Sequence, residues 1–391
     1  MRIALVHDYI KEYGGAERVL EVLHELYPDA PVYTTVYLPQ FLGPHRERFK
    51  NWEIRESWAR WVPFRHKLIS PLRLLSPLLF KSFDFSEYDV VIVSATGAYS
   101  PNMIDKKFAL QACYCHTPPR YLYGYETARE WKKNPLFNIL GTVLNQFLRR
   151  VDVESSENVD YFIANSREVA SRIKKLYNRD STVIYPPVDT ESIKYKVLSI
   201  KEKNKKIPNT KYLIPNAYFL AGGRLARPKH IDLIIKACGE LGVPLKIFGK
   251  GFAGYEQILK QVQNDTSRLR LDNIEFLGEV TDEEKFELMK NSKAYIFAAT
   301  DEDFGITPVE AMSVGTPVIA YRGGGLLESV VEDKTGVFFD ELTEESLISA
   351  IKHFDDSNHR SMTAACKKQA QKFSKERFKK EIKNFIESKS A

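Results

Sequence analysis

Apolar residues along this chain follow two rhythms that take turns. Short, nearly continuous apolar runs occupy Arg2–Val6, Pro31–Tyr37, Tyr88–Ser94, Leu110–Cys115, Tyr161–Asn165 and Thr182–Tyr185. They recur at Tyr218–Ala221, Leu245–Phe248, Ile274–Leu277, Ala294–Ala298 and Val318–Ala320. Runs of this length predict strands buried on both faces, as in a parallel sheet. Between them the spacing becomes helical. Val19, Leu20, Leu23 and Leu26 follow Gly14-Gly15, a long amphipathic stretch fills Leu136–Val159, and Ser166 caps the next helix. The tail Phe373–Ser388 places Phe378, Ile382, Phe385 and Ile386 on one face. Strands alternating with helices predict an α/β fold with parallel sheets. Lys194–Lys211 interrupts the pattern with seven lysines and one glutamate, as a solvated linker or surface loop would. The division is therefore a first domain over 1–190, a Lys-rich linker or loop over 191–215, a second domain over 216–372, and a terminal helix over 373–391.

One stretch breaks the rhythm. Trp52–Phe83 carries Trp52, Trp58, Trp61, Phe64, Phe80 and Phe83 among Arg55, Arg60, Arg65, Lys67, Arg73 and Lys81, with Glu53 and Glu56 its only acids. Pro63, Pro71 and Pro77 divide it into short helices. It reads either as a packed helical insert with a basic face or, the favoured reading, as a surface for an anionic membrane.

Composition adds limits. The chain has 391 residues, 43% hydrophobic and 12% aromatic, enough for two cores. Cys113, Cys115, Cys238 and Cys366 are too scattered for a disulfide framework or a metal cluster and read as buried packing thiols. No secretory signal and no apolar run of membrane-spanning length is visible, so a cytoplasmic protein is expected, peripheral at most on the inner face of the plasma membrane. The net charge is +6, unevenly distributed. Its basic segments match no nucleic-acid reader motif, so no nucleic-acid partner is expected.

Candidate chemistry collects at the C-terminal ends of predicted strands. Ala298–Gly325 reads A-A-T-D-E-D-F-G-I-T-P-V-E-A-M-S-V-G-T-P-V-I-A-Y-R-G-G-G. An acidic loop turns at Gly305 into a helix, with Thr307 suited to the N-cap, Pro308 to the first position and Glu310 to a capping box. Gly323–Gly325 precede a second helix, which makes two helix N-termini suited to phosphate. Glu302 and Glu310 frame the first loop, and carboxylates accept hydrogen bonds from sugar and ribose hydroxyls. Upstream, Gly222-Gly223 leads to Arg224 and Lys229, whose cations suit phosphate. Phe248-Gly249-Lys250-Gly251 and Leu277-Gly278-Glu279-Val280 end further strands with small residues that permit close approach by a base or phosphate. His116 ends an earlier strand, ahead of Pro118-Pro119. The glycine loop at 14–17 lacks the dinucleotide fingerprint, which excludes a dehydrogenase reading.

These pieces, in this order, resemble the family 4 retaining glycosyltransferases: G-G-A-E at 14–17, His116, G-G-R-L-x-x-x-K at 222–229, F-G-K-G at 248–251, F-L-G-E-V at 276–280 and E-D-F-G-I-T-P-V-E-A-M from Glu302. C-H-T-P-P-R-Y-L-Y and F-S-K-E-R-F are similar to the O-antigen-type mannosyltransferase branch. The resemblance implies the GT-B fold, two Rossmann-like domains facing a central cleft, with the last helix crossing back to the first. It implies a nucleotide-diphosphate sugar held mainly by the second domain. Arg224 and Lys229, after Gly223, would neutralise the diphosphate. The loop through Phe304, with the amides of Gly305, Ile306 and Thr307, would approach the phosphates. Glu302 would bind the sugar, Glu310 the ribose, and Lys250, Gly251 and Leu277 to Val280 the base. His116 would face donor sugar and acceptor, and Gly14-Gly15 would close over the phosphates. No divalent metal and no other cofactor is implied. The expected reaction is retaining transfer of a hexose, mannose from GDP-mannose, to a lipid-linked or glycan acceptor in cell-surface polysaccharide synthesis. A UDP-sugar donor, or non-catalytic binding of a nucleotide sugar, are the alternatives.

Overall fold

The computed structural model describes residues 1–127, 135–191, 193, 218–252, 254–264, 271–354 and 356–390, so the Lys-rich stretch 194–211 lies outside the described residues. The chain divides into two compact units. Unit 1 comprises Met1–Tyr125, Trp131–Pro187 and Lys375–Ala391, and unit 2 comprises Glu126–Glu130 and Val188–Ser374.

Unit 1 holds β1 (Ile3–His7), β2 (Val32–Thr34), β3 (Ile54–Glu56), β4 (Val90–Ala95), β5 (Leu110–Cys115), β6 (Tyr161–Ala164) and β7 (Ser181–Val183). They form one sheet in the order β3-β2-β1-β4-β5-β6-β7, with every pairing parallel. Successive residues feed opposite faces. Ala4, Val6, Val91, Val93, Cys113 and Cys115 share one core. Ile3, Leu5, Val90, Ile92, Ala112 and Tyr114 share the other. The helix Lys375–Ser390 completes this second core with Phe378, Ile382 and Ile386, all fully buried. At its start, Lys375 and Lys379 both reach Glu25 of the helix Gly15–Leu26, at 2.6 and 2.7 Å. Burial raises the Glu25 carboxyl, but the two lysines outweigh it and hold it below its ordinary value. Ser166 caps its helix as expected, accepting from the Val169 amide at 3.1 Å.

Unit 2 holds β8 (Phe219–Gly222), β9 (Leu245–Phe248), β10 (Ile274–Gly278), β11 (Tyr295–Phe297), β12 (Val318–Tyr321) and β13 (Gly336–Phe339). The order is β10-β9-β8-β11-β12-β13, again all parallel. In each sheet the strand order reverses once, between β1 and β4 and between β8 and β11. At such a reversal the loops after the two strands diverge and leave a crevice at the carboxyl ends, where open α/β sheets bind ligands.

Three features depart from the expected pattern. Trp52–Phe83 is not wholly helical: it contributes β3 as an edge strand, followed by a 3-10 turn at Trp58–Trp61 and short helices at Ile69–Leu72 and Ser76–Lys81. Its aromatics divide between roles. Phe80 is fully buried, whereas Trp61 and Phe64 are 75% and 71% exposed. β13 lies outside the expected strands as well. The helix after Gly323–Gly325 is a single turn, Leu326–Ser329. All four cysteines are buried thiols, and burial raises Cys113 and Cys238 to about 12.

Candidate functional site: a two-loop cradle in unit 2

The loops after β8 and β11, the pair that flank the strand-order reversal of unit 2, carry the charged residues expected at a nucleotide-sugar site. After β8 the chain passes Gly222-Gly223-Arg224 into the 3-10 turn Arg227–Lys229. After β11 it passes Asp301, in the left-handed region at φ +48, to Glu302. The two loops meet where Lys229 Nζ donates to Glu302 Oε2 at 2.5 Å. Lys229 also lies 4.4 Å above the Phe297 ring, so β11 supports the cation from beneath. Arg224 stacks over Phe252, its guanidinium 5.1 Å from the ring centre.

The start of the helix Ile306–Val314 differs from the expected cap. Gly305, at φ +86 and ψ +65, is the N-cap, and no side chain caps the helix. Thr307 and Pro308 therefore fall inside the first turn, and the capping box with Glu310 does not form. An L-residue enters this left-handed conformation at a cost that glycine avoids, and a Cβ here would meet Leu326 at 2.8 Å. With no side chain spent on them, the amides of Ile306 and Thr307 stay available at the positive end of the helix dipole.

Glu310 has a different partner. It is buried, and its Oε1 accepts from Lys285 Nζ at 3.0 Å. Lys285, itself buried, lies 3.2 Å from Asp282 at the start of the helix Asp282–Asn291. A buried carboxylate without a cation would be costly, and Lys285 supplies one to Glu310.

The glycines of the loops permit close approach within the protein itself. A Cβ on Gly249 (φ +118) would fall 1.9 Å from the Gly223 carbonyl, and one on Gly251 2.0 Å from the Glu256 side chain. Backbone bonds from Gly223 to Phe248, from Leu225 to Lys250 and from Gly249 to Gly278 tie the loops after β8, β9 and β10 together. Gly324 and Gly325 do the same for the acidic loop: a Cβ on either would meet the Glu302 or Asp303 carbonyl at 2.3 or 2.4 Å. The Gly325 amide donates to Glu302 O at 2.8 Å. Only a single helical turn stands behind these glycines, and their close approach holds the acidic loop in place. Phe304 is 2% exposed and packs on Phe373, ring centres 5.1 Å apart, so its side chain belongs to the core. Lys250 is exposed and pairs with Glu279 at 3.7 Å, while Leu277 and Val280 are half-buried.

In unit 1 the corresponding reversal brings β1 and β4 side by side. The Asp8 carboxylate, just past β1, accepts from Thr96 Oγ1 at 2.6 Å and from the Ala98 and Tyr99 amides at 3.0 and 2.9 Å, which fixes the loop after β4. Gly14 caps the helix Gly15–Leu26, and its amide donates to Glu17 Oε2 at 2.8 Å. His116 follows β5 directly. Its ring is nearly buried and Nε2 lies 2.9 Å from Ser94 Oγ. Burial, with His7 nearby, lowers His116 to about 3, so the ring is neutral at physiological pH. Among the described residues no group of three or more His, Cys, Asp or Glu could hold a metal ion.

Two family patterns match the sequence almost end to end: "Glycosyltransferase Family 4" over residues 13–192 and "Glycosyl transferases group 1" over residues 199–373. The chain belongs to the family 4 glycosyltransferases. Its two parallel α/β units are those of the GT-B fold. Anabaena HepE, solved with UDP and glucose, matches with TM-score 0.70 at 19% identity, covering 99% of this chain and 100% of that one. A sucrose-phosphate synthase from Thermosynechococcus elongatus matches with TM-score 0.73 at 16% identity, covering 99% of each chain. Among relatives in sequence, the Dictyostelium discoideum alpha-1,3/1,6-mannosyltransferase ALG2 is 28% identical over 67% of this chain and 66% of its own length. The Mus musculus protein of the same name is 26% identical over 83% and 80%. The match to the Kluyveromyces lactis protein spans 54% of that relative's length.

The family motif led from sequence to Arg224, Lys229, Glu302 and Glu310. Lys285, Asp8, His7 and Ser94 went unmarked. Lys285 stands in a D-E-E-K run that reads as a solvated helix face, and its partner is 25 positions away along the chain. Asp8, His7 and Ser94 sit inside or beside strands, where nothing local distinguishes a polar residue with a partner across the sheet.

Proposed function

We propose that this glycosyltransferase moves mannose from GDP-mannose, with retention, onto a lipid-linked or glycan acceptor in cell-surface polysaccharide synthesis. The observation that carries the reading is the meeting of the β8 and β11 loops: Lys229 pairs with Glu302, and a Cβ on Gly223, next to Arg224, would lie 3.9 Å from Thr307 Oγ1 in the first turn of a helix that no side chain caps. Glycosyl transfer builds negative charge on the departing diphosphate. Fixed cations and oriented amides aimed at that charge favour the transition state over the ground state. In this reading Arg224 and Lys229 hold the diphosphate without a divalent metal, helped by the amides of Gly305, Ile306 and Thr307. Glu302 takes the sugar hydroxyls, Glu310 the ribose, and Lys250, Gly251, Leu277 and Val280 the base. His116, being neutral, offers a hydrogen bond to the sugar. The mannosyl assignment draws on the relatives named alpha-1,3/1,6-mannosyltransferases, and the GDP assignment on the resemblance of C-H-T-P-P-R-Y-L-Y and F-S-K-E-R-F to the O-antigen-type mannosyltransferase branch. A UDP-sugar donor is the second reading, favoured by the UDP in HepE.

The acceptor reading draws on the exposed aromatics. Trp58, Trp61 and Phe64 stand open beside Arg60, Arg65 and Lys67, a composition suited to an anionic membrane face. No helix among the described residues is long and apolar enough to cross a membrane.

The deciding experiment is a thermal melt with GDP, UDP or ADP in EDTA. A ligand that binds only the folded protein raises its melting temperature by mass action. Stabilisation by GDP alone is expected. Stabilisation by UDP instead moves the donor, and no stabilisation by any nucleotide overturns the reading. Arg224→Ala and Lys229→Ala are each expected to lower turnover by roughly 10²-fold, the scale set by losing one group that stabilises an oxyanion. Wild-type turnover in both removes the mechanism.

A further inference from the structure

A short segment from the first half of the chain belongs to unit 2. Glu126–Glu130 groups with Val188–Ser374, whereas the residues on either side of it group with unit 1. Its first residue, Glu126, touches both loops of the cradle. The Glu126 amide donates to Asp301 Oδ2 at 3.1 Å, and its carboxylate accepts from the Thr300 hydroxyl. The same carboxylate oxygen lies 3.5 Å from Nε2 of His230, which in turn lies 3.4 Å from Thr300 Oγ1. Thr300 and Asp301 come just before Glu302 in the loop after β11, and His230 comes just after Lys229 in the loop after β8. Glu126 thus holds the chain neighbours of both partners in the Lys229–Glu302 pair. A backbone bond joins the same two loops, from the Thr300 amide to Pro228 O at 3.0 Å.

The backbone of these loops has reason to need a tie. His230 stands at φ +45 and Asp301 at φ +48, both in the left-handed region that residues other than glycine enter at a cost. Such a conformation persists where the surroundings over-determine it. Both residues bear a Glu126 contact, Asp301 through the amide and His230 through the carboxylate. The Lys229 and Glu302 side chains are themselves 26% and 18% exposed, so packing encloses them only in part and their separation depends on the backbone that carries them. The partners of Glu126 lie 174 and 175 positions away along the chain, so no local pattern marks it.

We propose that Glu126 is a positioning residue of the donor site: by holding Thr300, Asp301 and His230 it fixes the span between Lys229 and Glu302. The role rests on the reading of Lys229 and Glu302 as donor-holding residues. The tie itself lies within unit 2 and can be measured with no donor present. It requires no charge on His230, because the Thr300 hydroxyl and the Glu126 amide supply its hydrogen bonds. Two loops already set at their working separation bind a ligand without first paying to be ordered.

Amide hydrogen exchange of the full-length protein, without ligand, reads the tie directly. In Glu126→Ala and in Thr300→Val the Thr300 amide should exchange roughly 10-fold faster than in the wild type. Thr300→Ser, which keeps the hydroxyl, should restore the protection. Calorimetric titration with GDP, or with UDP where that is the nucleotide that stabilises the wild type, reads the consequence. Glu126→Ala and Thr300→Val should each weaken Kd by roughly 10-fold. The double variant should lose little more than either alone, since both substitutions cut the same bond. A residue that served stability alone would lower the melting temperature and leave Kd of the folded protein unchanged, and that result overturns the positioning role. Wild-type exchange in both single variants, or additive losses of affinity in the double variant, overturns it as well. If no nucleotide stabilises the wild type, the donor reading fails, and the exchange result alone decides whether Glu126 ties the loops.

Discussion

Single residues show how much of the chemistry depends on partners far away in sequence. Glu310 was visible as a framing carboxylate from its spacing to Glu302, but its partner in the core, Lys285, was not. Lys285→Ala should cost about 3–5 kcal/mol by removing the cation paired with this buried carboxyl, and combining it with Glu310→Gln should recover much of the loss. Urea denaturation of the two variants checks this, and additive losses would refute the pairing. Asp152 is a second case. It is buried and accepts from Tyr123 and Tyr177 hydroxyls at 2.7 and 2.8 Å. Burial raises its carboxyl to about 6 from an ordinary 3.8, against the pull of those two bonds. The folded state therefore binds this proton more tightly than the unfolded chain. The stabilisation is complete below about pH 3.8 and fades as pH rises through 6, a swing of roughly 3 kcal/mol. Relative to the parent, Asp152→Asn should gain stability between pH 4 and 7. Unfolding curves that run parallel across that range would contradict the assignment.

At the level of elements, the central strands were legible because burial on both faces leaves an unbroken apolar run. The edge strands were not. β3 (Ile-Arg-Glu) exposes part of each residue and lies in a segment read as short helices divided by prolines. The start of the helix Ile306–Val314 was misjudged by two residues for a related reason. Thr307 and Pro308 carry the local chemistry of a cap, but the backbone turns at Gly305, where the adjacent Leu326 leaves no room for a Cβ. Backbone-to-backbone approach leaves no mark in a sequence beyond the glycine itself. Gly249→Ala should therefore cost about 1–3 kcal/mol in strain alone and weaken the thermal response to nucleotide. Gly254→Ala, also at positive φ but with nothing within 4 Å, should cost less and leave that response intact. Equal effects in the two variants would show that loop stitching is unimportant. Phe378→Ala should cost about 3–5 kcal/mol, because it empties a filled site in the second core of unit 1.

Across the whole molecule, the two parallel sheets followed from the alternation of strands and helices along the chain, whereas the order of the strands within each sheet did not. The division of Trp52–Phe83 between core and surface did not, because tryptophan and leucine look alike in a pattern whether they face in or out. Its open half makes a prediction for the intact protein. Trp61→Ser with Phe64→Ser should reduce sedimentation with anionic vesicles several-fold without altering the melt, and unchanged sedimentation would set the membrane reading aside. The C-terminal helix has a different consequence, one of timing. Phe378, Ile382 and Ile386 fill a core whose other residues all precede Pro187, and the whole of Val188–Ser374 is translated in between. On the ribosome, that core waits on the order of ten to forty seconds for its last side chains, at ordinary elongation rates. Unit 2 has all of its strands in hand before then. The first half of the chain to be made is thus the second half to be finished, and in the interval its apolar face lacks the helix that covers it.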